Sequence, residues 1–107
     1  MQIVAEMSVA QLKESLEKGQ ELFLLDVREP CEYEIANLNG LLIPLGELPA
    51  RFGELDKKLQ IVVYCHHGNR SKNAAEFLQR QGFRSVRNLA GGIHAWATEI
   101  DPKMPRY

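Results

Sequence analysis

Ile61-Val62-Val63-Tyr64-Cys65-His66-His67-Gly68-Asn69-Arg70-Ser71 is the stretch whose reading decides the fold. It opens with β-branched aliphatics and a tyrosine, the composition of a strand buried on both faces of a sheet. Cys65 stands where that strand ends. From Ser71 the spacing becomes helical, with Ala74, Ala75 and Leu78 on one side and Lys72, Glu76 and Gln79 on the other. The chain therefore sets a thiol between a buried strand and a helix N-terminus.

The first turn of a helix has backbone N–H groups without internal partners and carries roughly half a positive charge, so an anion there is stabilised. A thiolate is such an anion, and cysteines placed this way beside cations titrate at roughly 3.5–7.5 rather than about 8.5. Arg70 supplies a permanent cation, and His66 and His67 are candidates to add charge near neutral pH. Gly68 suits a tight turn with inward-pointing amides, which calls for positive φ. A cysteine at a strand end is by itself more simply a small buried residue. Gly68, Arg70 and the helix start shift the reading to a reactive thiolate.

Loop length separates two chemistries. C-x-x-G-x-R over Cys65 to Arg70 is one residue shorter than the C-x-x-x-x-x-R loop with which Cys-dependent phosphatases and arsenate reductases wrap a tetrahedral oxyanion. Treated as a ring of α-carbons about 3.8 Å apart, losing one residue shrinks the radius by roughly 0.6 Å. The smaller cradle fits a single sulfur carried on the cysteine better than a four-oxygen anion.

Together with Leu25-Asp26-Val27-Arg28-Glu29-Pro30, Glu32-Tyr33-Glu34, Gly82-Phe83 and Leu89-Ala90-Gly91-Gly92-Ile93-His94-Ala95-Trp96, the stretch resembles the rhodanese family of sulfurtransferases, specifically its single-domain members. The order and spacing of these motifs over nearly the whole chain carry the resemblance. Ile35 to Gly40 departs from the family's usual Gly-His-Ile-Pro-Gly, keeping Leu38 as a near match and Gly40 as an identity.

The resemblance implies a sulfane sulfur passed from a small anionic donor such as thiosulfate, through a persulfide on Cys65, to a thiol or sulfur-acceptor protein. Cys65 is then the catalytic nucleophile, with His66, His67, Gly68, Asn69, Arg70 and Ser71 as the substrate-binding cradle. Asp26 and Arg28, at the end of another strand, are expected to brace the site's edge, and an ion pair from Arg28 to Glu32 or Glu34 is the expected brace. The competing readings are a non-catalytic rhodanese-like binding module and a phosphatase or arsenate reductase of the same fold.

Composition sets the outer bounds. The 107 residues suit one domain with an ordinary core. A net charge of −1 gives no electrostatic footprint for nucleic acid, and no apolar run is long enough to span a membrane. Cys31 and Cys65 make no disulfide framework, which fits a reducing compartment, the cytoplasm by default. His66 and His67 lack the local spacing of a metal site, so neither metal nor cofactor is expected. Cys31 reads as an incidental loop cysteine.

The remaining elements follow from periodicity and caps. Ser8 with Gln11 is a capping box opening a helix with Val9, Leu12 and Leu16 toward the core, and Gly19 closes it. Leu22 to Leu25 reads as a buried strand ending at Asp26, and Pro30 starts a turn or short helix through Glu34. A short strand over Leu41 to Pro44 precedes helical turns broken by Pro49 and Gly53. A helix over Ser71 to about Gln81 is capped by Gly82. Ser85 to Leu89 then forms a last strand, and a final helix begins at Ile93 with His94 on its surface and Trp96 as a core or lid residue. The tail from Asp101, with its two prolines, packs irregularly across the domain. Strands alternating with helices predict a single α/β domain, an open, mainly parallel sheet of four or five strands with helices on both faces, its Cys65 loop at the carboxyl edge.

Overall fold

The computed structural model describes residues 2–107. In chain order the elements are β1 (Ala5–Met7), α1 (Val9–Glu17), β2 (Phe23–Asp26), α2 (Pro30–Ile35), β3 (Leu41–Leu42), α3 (Leu48–Arg51), β4 (Ile61–Tyr64), α4 (Asn69–Arg80), β5 (Val86–Leu89) and α5 (Gly92–Glu99), with single 3₁₀ turns on either side of α3. The strands form one five-stranded sheet in the order β1-β5-β4-β2-β3, and every pairing is parallel. This is the open α/β sheet the alternation predicts.

β4 lies at the centre, and all four of its residues are buried, which is why it reads as an unbroken apolar run. Its side chains alternate between two cores. Ile61, Val63 and Cys65 face Ala74, Ala75 and Leu78 of α4 and Leu48 of α3. Val62 and Tyr64 face Val9 and Leu12 of α1 and Ile93 of α5. At about 1.5–3 kcal/mol for each fully buried aliphatic or aromatic side chain, these two layers carry the hydrophobic stabilisation that fixes where β4 ends. Cys65, on the α4 side, is thereby aimed at the start of α4.

Local signals place most boundaries. Ser8 Oγ accepts the Gln11 N–H at 3.0 Å and the Gln11 side chain accepts the Ser8 N–H at 2.8 Å, the reciprocal capping box. α4 begins two residues before the expected Ser71, because Gly68, at φ 111°, already turns the chain into the helix. The strand expected to reach Pro44 stops at Leu42, although Ile43 N–H still donates to the Asp26 carbonyl; Pro44 has no N–H with which to continue.

Two features differ from the expectation. β1 is an edge strand paired to β5 with only Met7 buried, too short for a two-residue period to show. Leu16 does not reach the core: it is 40% exposed and lines an open hollow with Leu24, Trp96 and Met104, so α1 buries only Val9 and Leu12. Trp96 is partly buried against the second core, and Ile100 and Met104 bring the tail down onto the same layer. No helix among the described residues is long and apolar enough to cross a membrane.

Candidate active site

The three central strands end side by side, and register decides what they bring together. Asp26 of β2 pairs with Tyr64 of β4, and Val63 of β4 with Asn88 of β5, so Asp26, Cys65 and Asn88 gather at the carboxyl edge of the sheet. Cys65 is 1% exposed, and its sulfur faces backbone donors. Sγ accepts the N–H of Gly68 at 3.1 Å and of Ser71 at 3.4 Å, with Ser71 Oγ at 3.3 Å. The amides thus point inward at the sulfur, and the positive φ of Gly68 makes that turn possible. Asn69 and Arg70, in the first helical turn, make no intrahelical N–H bond and leave two further donors at the same loop.

Asn88, which the sequence did not single out, holds the cradle from below. Its side-chain nitrogen donates to the Gly68 carbonyl at 3.1 Å, which orients the amide and turns Oδ1 toward the Ser71 hydroxyl. Ser71 has one hydroxyl proton to share between Asn88 Oδ1 and the sulfur. With a thiol, Ser71 donates to Asn88 and its lone pairs face the S–H; with a thiolate, rotation lets it donate to sulfur. Nothing local in Val86-Arg87-Asn88-Leu89 marks Asn88, whose burial appears only in the folded chain.

From the other side the loop is clamped by α5. Ile93 N–H donates to the Cys65 carbonyl at 2.9 Å and His94 N–H to the His66 carbonyl at 3.0 Å. That approach requires Gly92, since a Cβ there would stand 2.4 Å from the His66 carbonyl oxygen and 2.5 Å from that of Cys65.

A chain of charged groups surrounds the mouth. Arg70 makes a two-pronged ion pair with Glu32, at 2.6 and 2.8 Å. Glu32 also accepts the Glu29 N–H at 3.0 Å and the Tyr107 hydroxyl at 2.8 Å. The Arg70 guanidinium, helped by those two donors and against partial burial, holds the Glu32 carboxyl at about 2. Burial pushes the Tyr107 phenol up to about 12. The expected Arg28 partner is thus corrected: Glu32 pairs with Arg70, Glu34 takes no part, and Arg28 touches Glu32 only through its backbone carbonyl. Arg28, fully buried, needs a carboxylate inside the protein and finds it in Asp26, with Nη2 to Oδ2 at 2.7 Å. Its remaining donors go to the Ala36 carbonyl and to Tyr107, and its guanidinium lies near the faces of Tyr64 and Tyr107.

The two loop histidines, both candidates to add charge near neutral pH, differ. His67 is exposed, whereas the His66 ring is partly buried and stacked on Tyr107 at 3.9 Å and 9°. Burial, and then the neighbouring His67, push the His66 imidazole below its usual value, which disfavours its charged form. The Asn69 side chain is exposed and makes no hydrogen bond among the described residues. Local spacing gave no metal ligands here, but α5 brings a third imidazole, His94, up to His66 and His67. Cys31 is exposed on α2 and stands apart from the cradle's hydrogen bonds.

Cys65, His66, His67, Asn69 and Arg70 line a small pocket of about 130 Å³. A larger hollow of about 490 Å³ by Lys57, Lys58, Arg84 and Ser85 has no cysteine in its lining.

The site can be set beside known proteins. A putative sulfurtransferase, YtwF of Bacillus subtilis, is 40% identical over 101 residues, covering 94% of this chain and 97% of its own. A sulfurtransferase of Allochromatium vinosum is 35% identical over 96 residues, covering 89% and 90%. The chain spans only about half, 54%, of the putative sulfur carrier protein YrkF of B. subtilis, at 39% identity. A crystal structure of a rhodanese-related protein from Thermoplasma volcanium superposes with a TM-score of 0.81 at 34% identity, covering 90% of this chain and 93% of that one. The family model described as rhodanese-like domain matches residues 8–99, and the chain belongs to that family.

Proposed function

We propose that the protein is a sulfurtransferase that carries a sulfane sulfur as a persulfide on Cys65. The observation that carries the reading is the Cys65 sulfur facing the Gly68 and Ser71 N–H groups at the base of a small pocket. The Cys65 thiolate attacks the outer sulfur of a donor such as thiosulfate, forming the S–S bond while the donor's own S–S bond breaks and sulfite leaves with its electron pair. Sulfite is a stable anion, so no general acid is required. The terminal persulfide sulfur inherits negative charge, and the free N–H groups of Asn69 and Arg70 supply donors beyond those already on Sγ. A thiolate acceptor then attacks that outer sulfur and returns Cys65 to its starting state.

Arg70, although paired to Glu32, keeps 37% of its side chain exposed at the pocket and draws in the anionic donor. The names of the relatives, sulfurtransferase and sulfur carrier, support the same chemistry, and the open rim suits a protein thiol as acceptor. Both thiols would stay reduced in a compartment such as the cytoplasm. Intact-mass and peptide analysis after incubation with thiosulfate tests this directly. About 32 Da, one sulfur, is expected on the Cys65 peptide as the covalent intermediate. No added mass on that peptide, with turnover of an aryl phosphate instead, would replace the reading with a phosphatase.

A further inference from the structure

We propose that His66, His67 and His94 form a three-imidazole site for one zinc-like divalent metal ion at the rim of the Cys65 pocket. Their ligand nitrogens all lie within 4.8 Å of one another. The rings crowd together, with centroids 4.0 Å apart for His66 and His67, 4.9 Å for His67 and His94, and 5.8 Å for His66 and His94. Tetrahedral zinc with bonds of about 2.0–2.1 Å sets its nitrogens roughly 3.4 Å apart, so the widest pair must close by about 1.4 Å. His67 and His94 are exposed and free to rotate by that amount.

Two further observations make the cluster a built site. The loop and the helix are fixed to each other by backbone, through the Ile93 N–H to the Cys65 carbonyl and the His94 N–H to the His66 carbonyl, with Gly92 permitting the approach. The distance between the imidazole-bearing backbones is therefore set before any ion arrives. In addition, His66 Nε2 is a buried polar atom with no hydrogen-bond partner in the protein, while its ring is held flat by Tyr107. A ring nitrogen in that state is left unsatisfied unless a ligand meets it.

The donor set names the ligand class. Imidazole nitrogens suit zinc, copper and nickel, whereas calcium and magnesium require oxygen ligands. Three protein nitrogens leave a fourth position of a tetrahedral ion open, and two of the three histidines, His66 and His67, also line the Cys65 pocket. The site does not depend on the sulfur-transfer reading, and its test must not be confused by thiols, which bind zinc themselves.

The experiment is a zinc titration against a chromophoric chelator, using the full chain carrying Cys31→Ser and Cys65→Ala. One equivalent of zinc is expected to bind, unaffected by excess magnesium, and adding His94→Gln is expected to weaken it at least about tenfold, beyond what an outer-shell change costs at its least. In parallel, imidazole nitrogen NMR should show all three histidines shifting together as zinc is added. Loss of binding with the two thiols, unchanged affinity in His94→Gln, or a shift confined to His67 would each overturn the site.

Discussion

Replacing Glu32 with glutamine removes one negative charge from the centre of the hydrogen-bond chain while keeping its shape. In the native protein this carboxylate receives both prongs of Arg70, the Glu29 N–H and the Tyr107 hydroxyl. Its carboxyl is lowered from 4.5 to about 2, the Arg70 hydrogen bonds being the largest cause. At about 1.36 kcal/mol per tenfold change in proton affinity, that is about 3 kcal/mol of preference for the charged form in the folded state. Because 37% of the Arg70 side chain meets solvent, screening reduces the usable part to about 1.5 kcal/mol. Urea unfolding at pH 7 should show Glu32→Gln less stable by about that amount, and its Tm lower by roughly 6–10 °C. The sign with pH follows from a lowered carboxylate: the native advantage is complete above about pH 4.5 and disappears as pH falls toward 2. The gap between native and variant should therefore shrink to less than about half by pH 3. Equal stability at pH 7, or a gap that stays constant from pH 6 to pH 3, would refute the assignment of Glu32 as the charged centre of this chain.

Asn88→Ala removes the donor to the Gly68 carbonyl and the acceptor for Ser71, so persulfide formation on Cys65, followed by mass, should slow by about tenfold or more, and the fold should lose about 1–3 kcal/mol; an unchanged loading rate would mean the cradle does not depend on it. Gly92→Ala places a methyl against the Cys65 and His66 carbonyls at φ 62° and should cost at least about 2 kcal/mol in denaturant unfolding. Gly46→Ala, with open space around it, should stay within about 0.5 kcal/mol of the native protein. Cys31→Ser should retain sulfur loading while Cys65→Ala abolishes it, as read on intact mass; the reverse pattern would exchange the roles of the two thiols.

The parts legible in the sequence are those written in short-range chemistry. β4 shows itself because a strand buried on both faces has no position for a polar residue, and α4 because its alanines and Leu78 recur on one side. Gly68 marks the loop because the turn demands a positive φ, and Arg70 marks the first turn of α4 by its charge. What stayed hidden depends on partners brought from afar. Arg28 and Glu32 have helical i,i+4 spacing, yet Arg28 folds back onto Asp26 because a fully buried guanidinium takes the carboxylate inside the same core, leaving Glu32 to an arginine on another element. Asn88 reads as an unremarkable polar residue until the parallel register sets it beside the end of β4. His94 is the surface helix residue it reads as, but only the backbone bonds between α5 and the loop show that it stands beside His66.

That division also bears on how the loop works. Stabilising charge on a sulfur is most effective when the donors already point at it, since turning them during the reaction costs energy that would offset the gain. Here the donors cannot easily turn: Asn88 holds the Gly68 carbonyl from β5, and α5 holds the Cys65 and His66 carbonyls through two backbone bonds. A loop clamped on both sides needs no closing lid to organise the reacting sulfur. The residues above it, His67, Asn69 and Arg70, are the ones still open to solvent, and none of their side chains bonds to the sulfur. On the proposed sulfur transfer, selection of donor and acceptor falls to the rim, where substitutions are expected to change what approaches, while substitutions at Gly68, Ser71, Asn88 or Gly92 are expected to change whether the approaching sulfur is held at all.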